Sequence, residues 1–366
     1  MASFDNLRRV CREAISDGIT PSLVVLVGAG GRTVFHDAFG HRQVDPRPLP
    51  ATTETIYDLA SLTKAVVTSL LAMRAVARAR LLEDRLPSLA NGRPPTVAQT
   101  LAHAGGFPAH RPFYRRIAPS LARSPALVRA RVVELAGEEP LVYAPGERSL
   151  YSDIGFILLG DLLERLLGAR LDTLAAHELF APLGLTTLVF NDLAAPSPLD
   201  GRAVAPTQRC ELRSRLLVGE VDDLNAYAMG GVAGHAGLFG TAADLAVVAH
   251  ALCAAWRDAG PAGGTPLVPG PVLRAFWAPA GIPGSPWRLG WDGPAPSGSL
   301  AGDLISRQAV GHLAFTGCSL WIDPEREAFV IALSNRVHPV ARDDARFRAL
   351  RPALNDAALE DAGYQL

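Results

Sequence analysis

The sequence predicts a mixed α/β (α+β) fold: one antiparallel sheet built from both chain ends, flanked by terminal helices, with a mostly helical region inserted between them. Three observations carry this. A hairpin pattern lies near the N-terminus, between Ser22 and Phe39. Helical signals dominate from Ser61 to about Ala259. Strand signals return only after residue 303. The expected division is an α/β part formed by about 1–60 plus 265–366, and a mostly helical part at about 61–264, together forming one unit over 1–366.

The elements follow in order. Residues near 3 to 17 read as a helix. Ser22 to Val27 and Arg32 to Phe39 read as strands joined by Gly28-Ala29-Gly30-Gly31. That glycine run is similar to part of a phosphate-cradling loop, but it leads into a strand and not a helix, so it reads as a turn. Lys64 to Met73 is apolar on nearly every side and reads as a core helix. Ile154 to Leu167 is a further helix, stopped by Gly168. Thr241 with Asp244 three residues on forms a capping-box pair for a helix running to about Trp256. Residues 260 to 303, rich in Pro and Gly, read as a loop. His312 to Ile322 and Ala328 to Ser334 read as strands around the turn Asp323-Pro324-Glu325-Arg326, and a polar helix closes the chain from about 342 to 360.

Composition excludes several classes. With 366 residues, 49% of them hydrophobic, the chain can bury a large core. A formal charge of -1 gives no electrostatic case for nucleic acid or an anionic membrane. Cys11, Cys210, Cys253 and Cys318 show no metal-ligand spacing and read as reduced core residues. The first ten residues lack the apolar run of a secretory signal, and no stretch reaches 18 consecutive apolar residues. The expected location is cytoplasmic.

Among 35 basic side chains the chain has one lysine, Lys64, three residues after a serine in Asp58-Leu59-Ala60-Ser61-Leu62-Thr63-Lys64. An arginine stays protonated in proteins, whereas a lysine can be pushed toward neutrality by its surroundings. Three residues is close to one helical turn, so Ser61 and Lys64 share a face, as a nucleophile and its base must. Taken alone the motif is weak, and a lone lysine on a solvated helix face has the same spacing. The apolar residues that follow argue for a partly desolvated lysine.

Three more segments bear on Ser61: Tyr151-Ser152-Asp153 before a helix, the glycine-rich run Gly230 to Leu245, and Gly311-His312-Leu313-Ala314-Phe315-Thr316-Gly317. With these in view the chain resembles the β-lactamase and penicillin-binding-protein-like serine hydrolases, in particular the class C and esterase branch. That family carries Ser-x-x-Lys, Tyr-x-Asn, and Lys-Thr-Gly or His-x-Gly in this order; here they fall at Ser61/Lys64, Tyr151/Asp153 and His312/Ala314. Connecting segments such as His103 to Pro108 and Pro182 to Leu185 extend the resemblance over roughly residues 10 to 345.

The resemblance implies a β-lactamase/transpeptidase-like fold. It implies Ser61 as the nucleophile of an acyl-enzyme, Lys64 and Tyr151 as its acid-base pair, and substrate contacts from Asp153, His312, Ala314 and Phe315. The oxyanion donors would be the backbone N–H groups of Ser61 and of Phe315, the strand residue after the third motif. No metal or organic cofactor is implied. By itself Tyr151 reads as a buried aromatic, and His312 reads equally as a histidine hydrogen-bonding its neighbours at a sheet edge. His235 is explained as well by loop geometry and is left outside the catalytic set.

Two departures bear on the substrate. Asp153, standing where the family has asparagine, cannot donate an amide hydrogen bond; it either pairs with Lys64 or attracts a cationic substrate group. His312-Leu313-Ala314 lacks a fixed positive charge and a hydroxyl, which argues against efficient β-lactam hydrolysis. Phe315-Thr316-Gly317 also ends in threonine-glycine, but it is shifted by three residues and presents the opposite side chains. The expectation is a serine hydrolase of small esters or amides, similar to esterases and to muropeptide or D-amino-acid peptide amidases. A weak β-lactamase or D-alanyl carboxypeptidase, and a penicillin-binding-like protein that has lost catalysis, are the alternatives. Expected partners are small ester, amide or muropeptide substrates, with no nucleic acid and no membrane. Oligomeric state is left open.

Overall fold

The computed structural model describes residues 3–78, 86, 94–118, 124–260, 264–341 and 345–365. The chain opens with α1 (Asp5–Ser16), β1 (Ser22–Ala29), β2 (Arg32–Gln43), β3 (Leu49–Pro50) and β4 (Tyr57–Asp58). A π-helical stretch, Lys64–Ser69, continues as α2 (Leu70–Ala77), followed by α3 (Val97–Leu101), α4 (Pro125–Glu138), α5 (Asp153–Leu167) and α6 (Leu171–Leu174). Next come β5 (Val189–Phe190), β6 (Arg209–Cys210), β7 (Arg215–Leu216), α7 (Leu224–Ala228), β8 (Leu238–Gly240), α8 (Ala242–Trp256) and α9 (Gly270–Trp277). The last elements are β9 (Val310–Leu313), β10 (Ser319–Asp323), β11 (Ala328–Ser334) and α10 (Ala345–Asp361).

Both chain ends build one antiparallel sheet, in the order β3-β2-β1-β11-β10-β9. Its central pair is β1 with β11, in register from Leu23 opposite Ser334 to Gly28 opposite Phe329. Both strands are apolar at nearly every position because both faces are covered. Val24, Leu26, Ile331 and Leu333 face the large core shared with the central helices. Leu23, Val25, Val27 and Val330 face the other way, onto Leu7 and Cys11 of α1 and Leu354 and Ala358 of α10. This is the β-lactamase/transpeptidase-like arrangement. The four cysteines are free and buried.

Four local expectations need correction. Residues 312–322 are not one strand: β9 ends at Leu313, the chain turns, and β10 returns beside it, with Leu320 opposite His312. The turn is made by Ala314 to Cys318 with Gly317 at φ 114°, and a Cβ there would stand 2.9 Å from Ser334 Oγ. Phe315 therefore lies in a turn and not on a strand. The loop over 260–303 contains α9, whose Pro271 sits in the first helical turn, where its missing N–H costs nothing. The Thr241 side chain does accept from Asp244 N–H, but the Asp244 carboxylate reaches instead to the backbone of Thr186, Thr187 and Leu188. The start of the expected C-terminal helix, at 342–344, lies outside the described residues.

Candidate active site

Ser61 is presented by a strained turn. β4 ends at Asp58, and Ala60 takes the left-handed conformation, φ 43°, which costs a non-glycine residue on the order of 1–3 kcal/mol. Asp58 holds the turn from three sides. Its Oδ1 accepts Ala60 N–H at 2.9 Å, its Oδ2 accepts Asp222 N–H at 2.7 Å, and its backbone oxygen accepts Thr316 Oγ1 at 2.8 Å. One buried residue thus ties the Ser61 turn to the loop before α7 through its carboxyl and to the turn after β9 through its backbone oxygen. Burial raises the carboxyl pKa to about 7, against the opposing backbone hydrogen bonds from Asp222 and Ala60.

Helical backbone begins at Leu62 and runs as a π-helix from Lys64. The extra residue per turn lets Ser69 Oγ donate to Lys64 O at 2.7 Å, and such π insertions recur at functional sites. Lys64 is 0% exposed. Its Nζ donates to Ser61 Oγ at 3.0 Å and His235 O at 2.9 Å, and it pairs with Asp153 Oδ1 at 2.8 Å. Three acceptors match the three protons of an ammonium. Burial alone would depress the Lys64 pKa, but Asp153 and then Tyr151 outweigh it and raise it. Asp153 shows the mirror image: burial favours the neutral acid, and Lys64 overrides it, holding the carboxyl well below its usual range.

Tyr151 comes from the loop before α5, and its hydroxyl donates to Ser61 Oγ at 2.7 Å. Its ring lies 4.6 Å from that of His103, whose Nδ1 accepts the N–H of Ser152 at 3.1 Å. Burial raises the phenol pKa, partly opposed by the Lys64 charge. Asp153 is the first residue of α5, and Ser152 caps that helix.

Close backbone approach completes this wall. A Cβ on Gly234 would stand 2.2 Å from Phe156 O, so only glycine lets the 230–240 loop press onto α5. That contact sets the His235 carbonyl on Lys64.

The opposite wall is β9. His312 is buried, and its Nδ1 meets Leu313 O at 2.8 Å, which fixes Nδ1 as the protonated nitrogen and leaves Nε2 as an acceptor without a partner. Burial, then the Lys64 charge, push its pKa down to about 3, so the ring is neutral. Ala314 N–H donates to Cys318 O at 2.8 Å. Phe315 is 51% exposed at the cavity edge. Among the described residues no protein acceptor takes the N–H of Ser61 or of Phe315. From behind, Arg351 of α10 donates to Ala314 O at 3.0 Å and Cys318 O at 3.3 Å, pinning the turn.

Ser61, Tyr151, Asp153, His312, Ala314 and Phe315 all line one cavity of about 690 Å³ with Lys64 beneath it. This is ample for a small ligand. Sequence reasoning missed part of the lining. Asp223 caps α7 and pairs through Oδ1 with His235 Nε2 at 2.8 Å; Trp287 and Asp292 come from the long loop; and His110 Nδ1 approaches Asp153 Oδ2 at 3.5 Å. The glycine-rich motif was the available signal for His235, and Asp223 shows the helix-cap pattern before Leu224, but neither spacing points to Ser61. His110, Asp153 and Asp223 stand close enough to share a metal ion geometrically, though Lys64 already supplies a cation to Asp153. Among the described residues no helix is long and apolar enough to cross a membrane.

Comparison with known proteins adds to this geometry. The family model described as "Beta-lactamase" matches residues 7–355. A protein of Escherichia coli K12 named "Putative D-alanyl-D-alanine carboxypeptidase" is 32% identical over 356 residues, covering 88% of this chain and 80% of that one. An "N-acetylmuramyl-L-alanine amidase" of Bacillus subtilis 168 is 29% identical over 349 residues, covering 87% and 78%. Among solved structures, the octameric penicillin-binding protein homologue from Pyrococcus abyssi superposes with a TM-score of 0.73 at 22% identity, covering 98% of this chain and 77% of that chain.

Proposed function

The chain belongs to the β-lactamase family of serine hydrolases, and on that premise we propose that it cleaves small ester or amide bonds through an acyl-enzyme on Ser61. One observation carries the reading: Lys64 Nζ at 3.0 Å and Tyr151 OH at 2.7 Å both converge on Ser61 Oγ at the cavity floor. With Lys64 in its free-amine form, Ser61 Oγ attacks the acyl carbon as Lys64 Nζ takes its proton. Tyr151 gives its proton to the leaving group and takes one from the Lys64 ammonium, which returns Lys64 to the free amine. The charge that Lys64 gains, and the N–H groups of Ser61 and Phe315, favour the developing oxyanion. Water then enters and loses a proton to Lys64, and the acid is released as that proton returns to Ser61 Oγ.

The substrate class we favour is an amide or ester related to wall peptides, in line with the name of the B. subtilis relative. Asp153 acts as the counter-ion that holds Lys64 protonated. A neutral His312 and the absence, among the described residues, of any lysine or arginine lining the cavity argue against substrates that need a carboxylate bound there, such as β-lactams and D-alanyl carboxypeptides. The test is twofold. Fluorophosphonate labelling read by intact mass should give one adduct on Ser61, and a panel of p-nitrophenyl esters, D-amino acid amides and muropeptides should show turnover. A folded protein that takes no adduct at Ser61 would instead be a ligand-binding relative without catalysis. β-Lactam turnover matching the best ester would overturn the argument from His312.

A further inference from the structure

The cavity is lined by acceptors. Asp153, Asp222, Asp223 and Asp292 all face it, and among the described residues no lysine or arginine does. Asp153 and Asp223 each offer an oxygen within 4.8 Å of the other's and of a His110 ring nitrogen. An ammonium nitrogen about 2.8 Å from each of two oxygens spans a gap of that size. Asp153 has spent Oδ1 on Lys64, while among the described residues Oδ2 has only His110, at 3.5 Å. Asp223 is held ionised: burial favours its neutral form, but the adjoining His235 outweighs it.

A second, independent observation points the same way. On the opposite wall His312 lines the same cavity, and its buried Nε2 has no partner among the described residues. Each wall therefore holds an acceptor that a donor from the ligand would match.

Position narrows the donor further. Asp153 lies two hydrogen bonds from Ser61 Oγ, through Lys64. In an α-amino acyl group the nitrogen stands about 2.5 Å from the carbonyl carbon, as standard bond lengths dictate. A carbonyl poised over Ser61 thus keeps its α-nitrogen near the nucleophile, within reach of the Asp153 side of the cleft when the acyl group is turned that way.

We propose that the cavity seats a free ammonium of the acyl group between Asp153 and Asp223, making esters and amides of α-amino acids with an unblocked amine the preferred substrates. This rests on the serine hydrolase reading and specifies its substrate. The same cleft disfavours acyl groups that bear a carboxylate near the reacting carbon, by like-charge repulsion.

The decisive experiment separates binding from turnover. Ser61→Ala protein is titrated by calorimetry with alaninamide, in both enantiomers, and with isobutyramide, its neutral isostere. At least one alaninamide should bind tenfold or more tighter than isobutyramide, and the advantage should vanish in Ser61→Ala/Asp223→Asn. Asparagine caps a helix as well as aspartate, so that variant keeps the α7 start. Equal binding of the two amides, or an advantage that survives the second substitution, overturns the proposal. In the unaltered enzyme, methyl alaninate should exceed methyl isobutyrate in kcat/KM by at least tenfold, and N-acetylation should abolish the advantage. A preference for the acetylated or neutral ester also overturns it. Loss of the hydrolase reading has a different signature, no adduct at Ser61, and leaves the binding comparison intact.

Discussion

The two walls of the cavity are built on opposite electrostatic plans. On the helical side the Lys64 ammonium is saturated: each of its protons has an acceptor, and the buried charge is matched at 2.8 Å. On the sheet side, His312 is neutral with an unused Nε2, and the Phe315 N–H has no protein acceptor among the described residues. Saturation fixes geometry, because a buried ion pair with all its hydrogen bonds made has one arrangement. Vacancy on the other wall is what a substrate can fill. On the proposed reading the saturated groups around Lys64 transfer protons, and the unfilled ones, Asp153 Oδ2 among them, recognise the substrate.

Exchanging groups on the saturated wall should have the largest effects. Lys64→Arg keeps the charge but not the ability to share a proton, and a wider planar head replaces a tetrahedral one in a fully buried site. Ester turnover should fall by about 10³-fold or more, measured as kcat/KM on the best ester; activity near the starting level would erase the role given to Lys64. Tyr151→Phe removes one of two groups touching Ser61 Oγ and should cost about 10²-fold in kcat.

Arg351→Met tests the link between the walls, since it frees the Ala314–Cys318 turn without touching the cavity. We expect kcat to drop about tenfold with KM nearly unchanged; a change confined to KM would mean that the turn only binds.

Asp153→Asn sharpens the contrast itself. Without the carboxylate, burial is the leading influence on Lys64, so its pKa falls and the free amine appears at lower pH. The pH optimum on neutral esters should move down and the rate at the optimum should rise a few-fold. An unshifted pH–rate profile would show that Asp153 does not restrain Lys64.

The smallest effect should come from His312→Gln, which keeps an acceptor on the strand wall. Its pKa is about 3 in the folded protein against about 6.5 when unfolded, so the unfolded chain binds more protons between these values. The stability His312 confers is therefore present above about pH 6.5 and lost as pH falls toward 3. The glutamine variant should match the parent in urea at pH 7 and be less acid-sensitive below pH 6.

Much of this was legible in the sequence, for definable reasons. Ser61 and Lys64 share a helical turn, so their proximity is a local matter. The two-ended sheet was legible because β1 and β11 are apolar, β-branched runs. Tyr151 and His312 were reachable only through the resemblance, since about 90 and 160 residues separate successive motifs and no local rule brings them together. Asp223, His235 and Asp292 join the site through tertiary contacts: the Gly234 approach to α5, the Asp58 tie to Asp222, and the bridge between Asp292 and Gly311. The hairpin inside 312–322 escaped notice because its turn has only Gly317 as a break signal, and α9 was hidden by the prolines and glycines around it.

The central claim is that Ser61, served by the saturated wall, carries the acyl group. Rapid acid quench during turnover of a slow ester, followed by intact-mass and peptide analysis, tests it directly. The expected result is a mass increase equal to the acyl group, located on the peptide containing Ser61 and absent from Ser61→Ala. Steady release of the alcohol from the unaltered enzyme with Ser61 never modified would contradict it.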